Sequence, residues 1–248
     1  MRCDRGLDGD EMTTTQGERT LTQTRATQSP ATEAPSPTRR ARDWPAICGV
    51  AFVPLYLAAL GTSTSGVPET DAPMAEWVDW ATDDGNGTIA LLSVYLTIVA
   101  ALAFVVFATG VARRIRTAEG ENGLAGGLVY GLGLLAAGFL AAAGIAWNNG
   151  PIPYIFDERL PDPTDIHVFV QLQSLGYGLA FVGMAVAAAG LIAVASASLR
   201  QSMPAWFTML GYIASVVLLG SLMFVPLLAL PLWTLIASVL YLRRPLRT

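Results

Sequence analysis

The sequence predicts an all-α integral membrane protein: a six-transmembrane-helix bundle with a disordered cytoplasmic N-terminal tail and a short amphipathic outer helix between helices 1 and 2. Three observations carry that expectation. Hydrophobic residues make up 53% of the 248-residue chain and charged residues only 14%, against about a quarter charged in an ordinary soluble domain, and the mean hydropathy is +0.48. Beyond Asp43, charge-free windows run over 44–68, 85–112, 122–156, 166–199 and 201–242, each longer than the roughly 20 residues that cross a bilayer. Finally, arginines and acids fall in alternate loops between those windows.

Residues 1–43 are rich in Thr, Pro, Gln and Arg and lack apolar periodicity, so they bury too little surface to offset the entropy of ordering and read as a disordered tail. No apolar run precedes Trp44, so no secretory signal is expected; Met12 is a second candidate start. The domain at 44–248 begins with a span at about 45–63, where Pro54 should kink the helix and free the carbonyl of Val50. In 72–87, Met74, Trp77, Val78 and Ala81 share one helical face and Glu76, Asp79 and Asp83 the opposite one. An amphipathic helix follows, started by Asp71 and Pro73 and ended by Gly85, with Asn86 or Thr88 capping the second span at 88–112. The segment is then an interfacial lid or anchor, with Trp77 and Trp80 as anchors at the headgroups, the acids toward water, and Trp80, beside the acid face, expected to meet the outer end of span four.

The third span, 124–147, has a ladder of small residues, Gly123, Gly127 and Gly131, continued by Gly138 and Ala142. Span four has Gly183 and Ala187, and span five Gly211 and Ser215. Small residues let helices approach closely in lipid, so these faces are expected to pack within the chain or, alternatively, against a homodimer mate or a protein partner. Asp162, Pro163 and Asp165 start the fourth span, 166–198. At roughly 55 Å its first turns should stand outside the bilayer unless Gly176 and Gly178 break it. The last window is about twice the length a bilayer needs, and Pro226 and Pro231 divide it into spans at 204–223 and 227–242.

Basic residues in short loops stay on the cytoplasmic side. Arg39, Arg40, Arg42, Arg113, Arg114, Arg116, Arg200, Arg243, Arg244 and Arg247 all fall there if both termini are cytoplasmic. The outer loops then contain Glu69, Asp71, Glu76, Asp79, Asp83 and Asp84, and later Asp157, Glu158, Arg159, Asp162 and Asp165. The expected location is a bacterial cytoplasmic (inner) membrane, with the lipid bilayer as partner and no nucleic acid.

An ionisable side chain within a span would mark a functional site, and none occurs. The spans also lack HExxH, GxSxG, a P-loop and CxxC, and Cys3 and Cys48 have neither a disulfide placement nor a metal spacing. No catalytic residue, cofactor or metal is therefore expected. The acids of IFDERLPDPTDIH lack the spacing of a calcium loop, and Asp162 and Asp165 already serve as capping residues. Polar residues gather at the outer ends. His167, Gln171 and Ser174 share one face of span four, with Gln173 and Tyr177 on a neighbouring stripe and Asn148 and Asn149 ending span three. They predict an outer polar cup for a small ligand or ion; a helix turn standing in water is the plainer reading.

Pro204, Trp206, Leu210 and Gly211 enter the fifth span, Pro231, Trp233, Arg243 and Arg244 mark the sixth, and Glu76 to Trp80 reads EWVDW. On these motifs residues 44–248 resemble a group of uncharacterised six-helix multi-pass membrane proteins of high-GC Gram-positive bacteria. The resemblance implies six helices and no activity, and Ala205 stands where members often have an arginine. The expected role is structural, accessory or partner-binding; the alternative is a small transporter or channel using the polar cup.

Overall fold

The computed structural model describes residues 43–69, 71–120, 123–152, 163–220 and 225–243. The tail through Arg42, the cap expected at Asp162, the acids at 157–158 and Arg244 and Arg247 lie outside the described residues. The apolar windows fold as helices because a helix satisfies its backbone N–H and C=O groups within one segment, the condition for burial in lipid. In order they are α1 (Trp44–Ser63), α2 (Met74–Thr82), α3 (Asp84–Glu119), α4 (Leu124–Asn148), α5 (Pro163–Gly178), a π-helical turn (Leu179–Met184), α6 (Ala185–Ser198), α7 (Ala205–Leu219), a 3-10 turn (Val225–Leu228) and α8 (Ala229–Arg243). Among the described residues all regular structure is helical. Four helices are long and apolar enough to cross a membrane: α1, α3, α4 and the α5–α6 rod from Asp165 to Ser198; α7 and α8 are shorter apolar helices.

Local chemistry sets the helix ends, and it corrects several expected boundaries. The carboxylate of Asp83 accepts the Asn86 N–H at 2.9 Å, so α3 begins at Asp84, and neither Asn86 nor Thr88 is its cap. A carboxylate at this position both satisfies a free N–H and complements the helix dipole. The Asn86 amide instead donates to the Trp80 carbonyl at 3.2 Å, tying down the end of α2. Gly85 lies inside the first turn of α3 rather than ending α2. α2 follows Pro73 with no side-chain cap, so Asp71 does not start it. Gly120, at φ 79°, ends α3 in a conformation that favours glycine. The fourth span does not break at Gly176 or Gly178; it continues through the π turn. α1 likewise runs through Pro54 as one helix.

Helix α3 lies between α1 and α4, and glycines on α4 set how close it comes. A Cβ on Gly133 would lie 2.5 Å from the Ala108 Cβ, one on Gly144 2.5 Å from the Thr97 methyl, and one on Gly126 against the Arg116 stem. The ladder at Gly123, Gly127 and Gly131 is not the inward packing face. Gly127, Gly131 and Gly138 have nothing within 4 Å of an added Cβ, and Gly123 faces the Glu119 side chain in the connecting turn. α4 is rotated so that Gly126, Val129, Gly133, Ala136 and Leu140 point inward, a stripe of three- and four-residue steps, so the regular four-residue series falls on the outside. Gly183 does pack, against the Phe139 ring.

An aromatic spine joins the helices. Phe52 of α1 meets Phe104 of α3 at 5.1 Å, Phe104 leads to Phe107 at 6.1 Å, and Phe107 meets Trp233 of α8 edge-on at 6.1 Å. Trp233 then stacks on Phe207 of α7 at 5.8 Å. At one end of the bundle Arg114 pairs with Asp43 at 3.2 Å and lies over the Tyr241 ring at 4.1 Å, while Ser198 reaches Glu119 at 3.5 Å. The start of α1 and the ends of α3, α6 and α8 therefore meet there, with Arg113, Arg116, Arg200 and Arg243. Glu69, Asp71, Glu76, Asp79, Asp83, Asp84 and Asp165 lie at the opposite end. Between the ends, exposed Leu92, Tyr95, Val99, Leu102 and Val106 line α3 at helical spacing, the kind of face that lipid covers.

Gly133→Val should cost about 1–3 kcal/mol through overpacking, whereas Gly131→Val should change stability by less than about 0.5 kcal/mol. Unfolding by SDS titration in mixed micelles measures both.

Candidate functional site

Four polar side chains converge where α1, α3 and α4 approach the acidic end: Ser63, Ser93, Thr97 and Asn148, all at most 6% exposed. Ser93 and Thr97 come from an apolar run and Ser63 and Asn148 from the polar ends of their helices; buried, each must bond within the protein. Ser63 and Ser93 share a hydroxyl contact at 2.5 Å, and both reach the Ala59 carbonyl, at 2.8 and 3.1 Å. The Asn148 amide donates to the Gly144 carbonyl at 2.7 Å and to the Ser63 hydroxyl at 3.3 Å. Thr97 donates to the Ser93 carbonyl at 2.8 Å. With one serine donating to Ala59 and the other to its neighbour, every hydroxyl and amide proton of the cluster is committed. What it still offers is lone pairs, chiefly on Thr97.

Beside this cluster is a cavity of about 40 Å³. Ser63 and Thr97 form its polar side; Tyr56, Leu60, Leu140, Trp147, Ala180 and Met184 are among its walls. Ala180 and Met184 belong to the π turn, an element that recurs at functional sites because the extra residue shifts the helix register locally. Just before that turn, Gly176 closes on the α4 backbone, where an added Cβ would lie 3.0 Å from the Trp147 N and 3.2 Å from the Ala143 O. Tyr177 then packs on Trp147, ring centres 4.4 Å apart, and on Phe181 at 5.7 Å.

Helix α2 lies over the first turns of α5. Trp77 and Ala81 pack with Ile166 and Phe169 as a small separate core, so the overhanging start of the fourth span has a protein partner. Trp80 stands edge-on to Trp77 at 5.8 Å and covers Gly150, whose added Cβ would lie 2.7 Å from the indole. Trp77, only 4% exposed, is turned into protein against α5. Trp80 is half-buried. The apolar face of α2 was legible, but its preferred cover is α5.

The outer polar cup does not assemble. His167, Gln171 and Ser174 are exposed on the face of α5 away from the bundle, because Ile166, Phe169 and Gly176 occupy the inward face. Ser174 bonds its own helix at Val170, 2.9 Å away. Asn148 instead points inward to Ser63, Asn149 is half-buried, and Tyr177 lies over Trp147. Ser63, Ser93 and Thr97 went unnoticed in the sequence; their signal was the four-residue step from Ser93 to Thr97 on α3. Among the described residues no three His, Cys, Asp or Glu side chains gather as a metal site. No family model, curated protein or solved structure matches this chain. The pocket's chemistry is therefore read from its own groups: neutral hydrogen-bond acceptors beside apolar walls, with no carboxylate or imidazole lining it.

Asn148→Ala should destabilise the bundle by about 0.6–1.7 kcal/mol, the range of interhelical hydrogen bonds in membranes. His167→Ala should have no measurable effect, and the same SDS titration compares the two.

Proposed function

We propose that the chain is a six-helix multi-pass protein of a bacterial cytoplasmic membrane, with both termini cytoplasmic, and that its role is structural or accessory: it binds a partner protein through the outer face of α4. The observation that carries this reading is the open stripe of Gly127, Gly131 and Gly138. Inward packing is served by Gly126, Gly133 and Gly144, so the outer stripe is not needed for the monomer's own core. Such a surface lets a second helix come close enough for backbone contacts, which drive association where the hydrophobic effect is weak. A cleft lined by Arg113, Arg116, Gly123 and Gly127 extends it toward the arginine-rich end.

α7 and α8 supply spans five and six in this reading. Each is about 22 Å long, and the turns beside them complete the crossing. The segregation of arginines from acids supports cytoplasmic termini through the positive-inside preference, and the motifs shared with the six-helix group of high-GC Gram-positive bacteria point the same way. A transporter or channel finds less support, since the polar cup is dispersed and the buried hydroxyls are bonded to one another.

A reporter fused after Gly120 should read as cytoplasmic; an external signal would contradict the topology. Cysteine crosslinking from Gly127→Cys in native membranes should capture a neighbouring chain, a second copy included, and Gly131→Leu should abolish that product while leaving the monomer folded. An unchanged product, or none from the parent, would remove the partner-binding reading.

A further inference from the structure

We propose that the cavity between α1, α3, α4 and the π turn binds a short neutral alcohol, its hydroxyl donating to Thr97 and its alkyl body against Leu60, Leu140 and Met184. No carboxylate, guanidinium or imidazole lines the cavity, so an amine or acid would enter without a counter-charge, at a cost of several kcal/mol. A ligand here is neutral.

Hydrogen-bond capacity narrows the class. The protons of Ser63, Ser93, Thr97 and Asn148 are spent on Ala59, on Gly144, on the Ser93 carbonyl and on one another. The hydroxyls of Ser63 and Thr97 can therefore accept but not donate, so a ketone, ester or ether could use only the Tyr56 phenol and would leave the Thr97 acceptor without a donor. Tyr56 is the lining hydroxyl outside that network. A ligand hydroxyl suits both: its proton goes to a lone pair of Thr97, and its oxygen is free to accept from the Tyr56 phenol.

Size and wall chemistry narrow it further. About 40 Å³ exceeds the roughly 10–15 Å³ that one water requires, and leaves room for a hydroxyl with its first carbons. Water needs two to four polar partners, whereas the walls away from Ser63 and Thr97 are aliphatic and aromatic. The polar groups Thr97, Ser63 and Tyr56 lie on one side, and an alkyl body covers the remaining apolar walls, which water cannot do. The π turn brings Ala180, the smallest wall residue on that side, to the cavity, so a larger side chain there would fill it.

The inference is independent of the α4 partner face and is tested separately. Parent protein in lipid nanodiscs is photolabelled with a diazirine-bearing butanol and, in parallel, with the matched diazirine-bearing alkane, and adducts are mapped by mass spectrometry. The expected result is alcohol adducts on Tyr56, Trp147 or Met184 that 1-butanol suppresses and pentane does not. Thr97→Val should reduce this labelling by about 3- to 20-fold, the equivalent of one hydrogen bond of membrane strength, and Ala180→Leu should abolish it. Suppression by dodecanol as well would assign the site to the hydroxyl end of a membrane-resident alcohol; suppression by butanol alone would assign it to a water-soluble one. Equal labelling by the alkane, adducts confined to exposed residues such as Leu102, or labelling unchanged in both variants would overturn the proposal. The competition arms use the parent protein, so misfolding of a variant does not leave the question open.

Discussion

The close approach of α4 to α3 is the constraint on which the rest of the bundle depends. Between helices in lipid, apolar burial gives little net drive, so contact must come from dispersion and hydrogen bonds at short range. Gly126, Gly133 and Gly144 remove the Cβ atoms that would hold the two backbones apart. Once they are close, Thr97 packs against Gly144, and the Asn148 amide a turn later reaches Ser63 on α1. The same rotation that turns these glycines inward leaves Gly127, Gly131 and Gly138 outward. Core packing, the buried polar cluster and the open outer stripe are thus three consequences of one helix orientation.

The π turn and α2 adapt the fourth span to that arrangement. Its rod is longer than a bilayer requires, and its first turns would expose Ile166 and Phe169 to water. α2 covers them with Trp77 and Ala81, and Trp80 extends the cover to Gly150 beyond the end of α4. Further along, the π turn lets Gly176 seat on the α4 backbone while Gly183 seats on Phe139. A regular helix would carry the register of the first contact unchanged into the second. The cavity lies where these two seats flank a shifted turn, next to the polar cluster.

Much of this was legible in the sequence, and the limits have physical causes. Apolar runs of bilayer length read directly as helices, and the opposition of Trp77 and Ala81 to Glu76 and Asp79 read as an amphipathic helix. Helix rotation was harder. α4 carries glycine or alanine on nearly every face, so a four-residue ladder was visible without any sign of which way it points. The stripe through His167, Gln171 and Ser174 had the same ambiguity, since spacing shows that residues share a face but not what that face meets. Ser93 and Thr97 are silent for another reason: a lone hydroxyl in an apolar helix can bond its own carbonyl four residues back, as Thr109 does with Val105 at 2.8 Å, while Ser63 is lost among Thr62, Thr64 and Ser65 at the end of its helix. Asp83 reads as part of the acid face of α2, which hides its role as the cap of α3.

The central claim, that α4 meets α3 through Gly133 and not through Gly131, is tested most directly by disulfide trapping in native membranes, with Cys3 and Cys48 replaced by serine. Ala108→Cys combined with Gly133→Cys places two Cβ atoms within the short range a disulfide needs after a small shift, so oxidation should give an intrachain bond and a faster-migrating monomer. Ala108→Cys with Gly131→Cys should give none. Trapping of the Gly131 pair in preference to the Gly133 pair would contradict the helix orientation, and with it the cluster, the cavity and the open outer face.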